Sequence, residues 1–214
     1  TTGLGRPLVI GQMLGEVARP RLVSKANLQV GDRVLLTQGV AIEGTALLAR
    51  EKGGELRGRV PDDLIERAER FLFDPGISVV EAALTATEAG HVTGMHDPTE
   101  GGLVTGLYEL ATASDKGLRV YGEHVPIFPE TGALCEPFGI DPLRLIASGA
   151  LLIATPPSDA DLIMDALRAE GIPVSSIAEV RPSSHGITLD ASGREQELVP
   201  ADRDEIAKVF EASH

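Results

Sequence analysis

The chain has 214 residues, 43% of them hydrophobic but only 3% aromatic and none of them Trp, so its core must be built from Leu, Val, Ile and Ala, a composition that suits helices packed on a sheet. A formal charge of -13 excludes nonspecific binding to a phosphate backbone and removes any attraction to an anionic membrane surface. One cysteine, Cys135, excludes an internal disulfide, and with no apolar run beyond strand length and no signal-peptide pattern the expectation is a cytoplasmic chain.

The sequence opens Thr1-Thr2-Gly3 without an initiator Met, the start expected of a fragment. Residues 1–20 are punctuated by Gly3, Gly5, Pro7, Gly11, Gly15 and Pro20 and read as an extended leading segment. Within it Leu8-Val9-Ile10 is strand-like and suited to packing elsewhere. Gly31-Asp32 is a turn before a buried strand over 33–37. Gly39 ends that strand, and a helix over 41–52 closes at Gly53-Gly54. A second helix, 61–73, places Leu64, Ile65, Ala68, Phe71 and Leu72 on one face. A third, 79–89, places Val79, Val80, Ala83, Leu84 and Thr87 on one side, with Gly90 as C-cap.

A short strand over 92–95 leads to His96-Asp97-Pro98-Thr99-Glu100-Gly101-Gly102 and a helix running to about Ser114, with Leu103, Val104, Leu107, Leu110 and Ala111 inward. Strand 118–121 follows, then an irregular stretch over 124–142 with one short helix at 132–138. Strand 151–154 precedes a helix over 158–169, capped by Ser158 and ended by Gly171. Strands over 174–180 and 186–189, a turn at 190–193 and an amphipathic helix over 201–212 complete the chain. Strands and helices alternate without a regular βαβ rhythm, so the expected class is α+β, a mixed sheet with helices packed on it. The expected division is a leading segment over 1–20, a body over 21–200 and a C-terminal helix over 201–214.

The segment from His96 to Gly102 carries the most chemistry. Asp97 can cap the following helix, with Pro98 at its first position and Glu100 at its third. Gly101 and Gly102 are not explained that way, since Gly in a first helical turn costs about 1 kcal/mol relative to Ala. Two readings stand with equal weight: bare amides that seat a phosphate or carboxylate, with Thr99, Gly101 and Gly102 around it, or close packing of the helix on its neighbours. His96 beside Asp97 is a candidate acid–base pair. Gly39 and Gly44 flank a strand-to-helix turn without the Lys-Ser/Thr of a P-loop, leaving at most minor phosphate contacts. Ser148-Gly149, before a buried strand, either lines a cleft or forms a bulge. No residues have metal-ligand spacing: His91, His124 and His185 read as surface residues, and Asp62-Asp63 and Asp202-Arg203-Asp204-Glu205 as solvated helix starts. Cys135 reads as a small buried hydrophobe.

His96-Asp97-Pro98-Thr99-Glu100-Gly101-Gly102-Leu103, with Leu107 and Glu109-Leu110-Ala111 after it, resembles the Asp-Pro-Thr-Arg-Gly-Gly-Leu motif of the aminoimidazole ribonucleotide (AIR) synthetase superfamily, and most closely its hydrogenase-maturation branch. In matching order, Val30-Gly31-Asp32-Arg33, Gly139-Ile140-Asp141-Pro142-Leu143 and Ala147-Ser148-Gly149-Ala150-Leu151-Leu152 are similar to other family segments. The resemblance covers residues 3–180 and implies the C-terminal domain of a two-domain, homodimeric, ATP-using parent. It further implies a missing N-terminal domain that supplies most ATP and Mg2+ ligands, and a phosphate-binding role for the glycine-rich helix starts here. Two departures stand out. Glu100 replaces Arg, and the family's Gly-Asp-His-Gly turn reads Val40-Ala41-Ile42-Glu43-Gly44. They favour the alternative of a non-catalytic nucleotide- or partner-binding module of the same fold. The branch's terminal cysteine is also missing, which excludes carbamoyl chemistry on the chain's own tail.

Overall fold

The computed structural model describes residues 9–191, 193–200 and 202–211. Its centre is one mixed sheet of seven strands, in the order β2-β4-β1-β5-β3-β6-β7. These are β1 (Arg33–Thr37), β2 (Gly94–His96), β3 (Lys116–Tyr121), β4 (Leu152–Thr155), β5 (Val174–Pro182), β6 (Ile187–Ala191) and β7 (Arg194–Glu197). All pairings are antiparallel except β3 with β6. The expected α+β class is what the fold displays.

Side chains alternate across β1, as a strand requires. Val34 and Leu36 join Leu152, Ala154, Leu118, Val120, Ala178 and Val180 in the larger core cluster. That cluster is closed by α1 (Ile42–Leu56), α4 (Gly102–Ser114) and α5 (Pro129–Cys135). Leu35, Leu151, Ile153 and Val174 point the other way, under α3 (Val80–Ala89) and α6 (Pro157–Ala169). The Gly31-Asp32 turn anchors the sheet's start. Asp32 is buried, and one of its carboxylate oxygens accepts the Gln29 amide at 2.8 Å and the Thr93 hydroxyl at 2.7 Å.

Several boundaries differ from the sequence reading. Helix α1 does not stop at Gly53-Gly54 but continues to Leu56, whose side chain is fully buried. The regular part of α2 is Asp62–Ala68; beyond it the Arg70 and Phe71 amides bond carbonyls three residues back, and Asp74 leaves helical geometry. Helix α6 starts at Pro157 with Pro156 before it and no side-chain cap; Ser158 bonds Asp159 instead. Helix α3 turns a different face inward: Ala82 and Ala86 are buried, while Val80 and Leu84 are 62% and 54% exposed. The reason is close approach to α6, where a Cβ on Gly90 would lie 3.0 Å from Ile163 and 3.1 Å from Asp159. Strand β7 lies just past the expected turn at 190–193.

Within the leading segment, residues 9–18 form no regular element and Arg19–Arg21 make one short turn. Val9, Ile10, Met13 and Leu14 are exposed. Residues 1–8, with Leu8 of the strand-like stretch, lie outside the described residues. Past β7, α7 (Glu205–Glu211) lies on the larger core through Ile206 and Val209.

Candidate functional site

Strands β1 and β2 end, and β4 begins, at one end of the sheet. The Thr37 amide donates to the Leu151 carbonyl at 3.1 Å, and the Leu151 amide donates to the Thr37 hydroxyl at 3.0 Å. His96 pairs with Leu152 across the β2–β4 ladder. Three loops that the sequence singles out therefore meet here: 38–44 after β1, 96–102 after β2 and 143–150 before β4. Backbone hydrogen bonds tie them together. The Ala147 amide donates to the Thr99 carbonyl at 3.2 Å, and the Gly44 amide donates to the Ile146 carbonyl at 3.1 Å.

Helix α4 begins later than expected. Its N-cap is Gly101, in left-handed geometry at φ 74°, and no side chain caps it. Asp97 is exposed, four residues ahead of the N-cap, and does not cap the helix. The Gly101 amide instead donates to the Asp204 carboxylate at 2.6 Å. The other oxygen of Asp204 accepts from Ile146 at 3.2 Å and from Ile206, in its own helix, at 2.8 Å. A carboxylate from far along the chain thus fills the anion position expected at this helix start. Gly101 and Gly102 are buried. A Cβ on Gly102 would stand 2.6 Å from the Leu143 carbonyl oxygen and 2.7 Å from that of Leu145, and one on Gly101 would collide with the Thr105 side chain. Close packing is thus one requirement that both glycines meet. The Thr105 hydroxyl oxygen is buried beside Gly101 without a hydrogen-bond partner among the described residues.

His96 and Asp97 do not form a pair. His96 Nε2 lies 2.5 Å from Glu109 Oε2 on α4. Thr99 and Glu100 are exposed. The Glu100 carboxyl is held below the usual carboxylate range by its own backbone N–H and then by the Thr99 hydroxyl. Gly39 lies at the same end of the sheet but faces Phe128, 2.7 Å from where a Cβ would stand. Ser148 is half-buried; Gly149, at φ 107°, backs onto Ile42 and the Gly76 carbonyl. The structure thus brings Thr99, Gly101, Gly102, Ser148 and Gly149 into one loop cluster, places Gly39 at its margin and leaves Asp97 exposed in the 96–102 loop.

Features beyond the sequence reading complete the area. Gln38 and Ala41 take positive φ, 59° and 58°, around the β1–α1 turn. Ile42, in the stretch that departs from the family-like turn, is fully buried in an apolar cluster with Ala46 and Phe71. Asp204 was legible only as a helix start, because its partner lies 103 residues away. Burial pushes the Cys135 thiol up to about 12, with Asp141 and Glu205 adding to the effect, so it is no nucleophile. Among the described residues there is no group of three or more His, Cys, Asp or Glu placed to hold a metal ion. No helix among them is long and apolar enough to cross a membrane.

The model of the C-terminal domain of AIR synthase related proteins matches residues 29–190. Carbamoyl dehydratase HypE of Azotobacter vinelandii is 29% identical over 169 residues, covering 79% of this chain and 43% of that protein. The crystal structure of E. coli HypE superimposes with a TM-score of 0.68 at 22% identity, over 88% of this chain and 55% of that one. The hydrogenase maturation protein HypE in complex with ATP does so with a TM-score of 0.67 at 21% identity, over 90% and 57%. The chain spans less than half the length of curated relatives of this kind, from 37% to 46% in three of them.

Proposed function

Since this chain belongs to the AIR synthase related family through that family's C-terminal domain, we propose that it is one half of an ATP-using enzyme and contributes a phosphate-contacting wall to a site completed by another domain. The observation that carries this reading is the meeting of loops 38–44, 96–102 and 143–150 at one sheet end, joined by the Thr99–Ala147 and Gly44–Ile146 bonds. Open sheets place ligands beyond strand ends, where loops rather than side-chain layers form the surface. Thr99, Gly101, Gly102, Ser148 and Gly149 are the proposed phosphate-side residues, with Gly39 at the margin. His96, held by Glu109, is the proposed acid–base group, and Asp97 is a solvent-side neighbour.

ATP bound to a HypE of the same fold supports the nucleotide class. The missing carboxylate cluster supports the view that Mg2+ is held by the other domain, which relatives of about twice this length leave room for. A homodimeric, cytoplasmic parent belongs to the same proposal. On this reading the 214-residue chain alone has no ATPase activity and binds Mg-ATP weakly or not at all, whereas a longer protein containing it binds in the micromolar range. Calorimetric titration of both with Mg-ATP decides the matter. Micromolar binding by the chain alone would place a complete nucleotide site within it. No binding by the longer protein would favour the second reading, a non-catalytic module. That reading draws its support from Ile42, a buried apolar side chain in the stretch that departs from the family-like turn.

A further inference from the structure

We infer that α7 is a releasable latch, and that Asp204 is the internal anion that holds it shut over the start of α4. The latch follows from the geometry alone; only the identity of its competitor rests on the proposed function. Two amides from separate elements, Gly101 at the start of α4 and Ile146 in the loop before β4, converge on one carboxylate, at 2.6 Å and 3.2 Å. That carboxylate also accepts the Ile206 amide at 2.8 Å, so the group that caps α7 is the group that docks it. The buried, unpartnered Thr105 hydroxyl beside Gly101 is a further donor that the carboxylate leaves unused.

A tetrahedral anion has more acceptor atoms than a carboxylate. It can take the same two amides together with that hydroxyl. A phosphate-bearing ligand and Asp204 therefore exclude each other, and ligand arrival must lift residues 202–211 from the core. Val209 and Ile206 rest on the larger cluster, Glu205 and Lys208 form an ion pair at 2.5 Å within the helix, and Lys52 lies 5.6 Å from the Phe210 ring centroid. A helix of seven residues does not persist by itself in water. Once its cap is lost it should unravel, not merely tilt.

Amide hydrogen exchange on the 214-residue chain tests the latch, with Asp204→Asn and Asp204→Ala as variants. The expected result is at least tenfold faster exchange at residues 206–211 and at Gly101, with β1 and β4 unchanged. Unchanged exchange at α7 in both variants would overturn the latch. If Asp204→Ala fails to fold, Val209→Asp detaches α7 while keeping the carboxylate, and should speed exchange at Gly101 as well; protection retained there would also overturn it. Titration with inorganic phosphate, and separately with Mg-ATP, tests the competition: Asp204→Ala should bind at least tenfold more tightly than the wild type, and saturating phosphate should speed α7 exchange in the wild type. Equal affinities would overturn the competition. No binding by either form would overturn the competition and the phosphate role of this helix start together, while the exchange result would still judge the latch.

Discussion

The carbonyl oxygen of Thr99 accepts the amide of Ala147 at 3.2 Å, and this one bond joins the loop leaving β2 to the loop entering β4. The same carbonyl accepts the Gly102 amide at 3.1 Å, so the turn that starts α4 and the loop that covers it share an acceptor. Movement of either loop is therefore felt at the start of the helix. The predictions below follow from such couplings.

Gly102→Ala should destabilise the chain strongly. Its φ is 65°, and the added methyl would meet the Leu143 and Leu145 carbonyl oxygens at 2.6 Å and 2.7 Å. Left-handed geometry and overpacking each cost about 1–3 kcal/mol, so a loss of roughly 2–6 kcal/mol is expected. Urea unfolding monitored by circular dichroism measures it. A loss below about 1 kcal/mol would show that the 143–145 loop yields easily.

Gln38→Gly should stabilise. Gln38 holds φ 59° in the β1–α1 turn with its side chain half-buried and, among the described residues, no hydrogen bond from that side chain. Left-handed backbone costs a non-Gly residue about 1–2 kcal/mol, and the extra freedom of Gly in the unfolded chain returns part of this, leaving a gain of about 0.5–1 kcal/mol. The unfolding midpoint should rise with an unchanged denaturant slope.

Glu100 should titrate below an ordinary glutamate. Because its carboxyl is depressed in the folded chain, its contribution to stability is present above the unfolded value near 4.5 and is lost as pH falls through the lower folded value. Thr99→Val removes the hydroxyl that bonds this carboxylate, so the Glu100 midpoint followed by carboxyl NMR should move up toward its ordinary value. A midpoint that stays put would leave the backbone N–H as the whole cause.

Cys135 should be silent toward thiol reagents at pH 8 in the native chain. Its thiol is buried and pushed up to about 12, so thiolate is scarce and access is blocked. Labelling should appear only with global unfolding, and its denaturant dependence should match that of circular dichroism. Rapid native labelling would reveal an opening of α5 that the static packing does not show.

The elements legible in the sequence were those whose signal is local. The alternation of Val34, Leu35 and Leu36 and the helical spacing of Leu103, Leu107 and Leu110 each record a buried face within a few residues. Helix α3 misled because bulk and burial part company there. Val80 and Leu84 carry the hydrophobicity, but α6 demands the small residues Ala82 and Ala86 at its contact. At the candidate site, glycine spacing pointed to the right loops, yet the occupant was invisible. Asp204 carries a local helix-cap pattern and nothing that names Gly101 as its partner. The cap expected of Asp97 is absent for the same reason. A good cap by type was passed over because a tertiary anion satisfies the helix from outside.

The span between Gly101 and Asp204 also bears on how the molecule is made. During vectorial synthesis the sheet strands β1 to β7, ending at Glu197, are complete before residue 204 is added. Once these strands have left the ribosome and paired, the Gly101 amide still lacks its acceptor until Asp204 also emerges, a costly state that favours fraying of the first turn of α4. That turn and the loop over it should be the last part to become rigid, and the part most open to chaperones and proteases while translation is still under way.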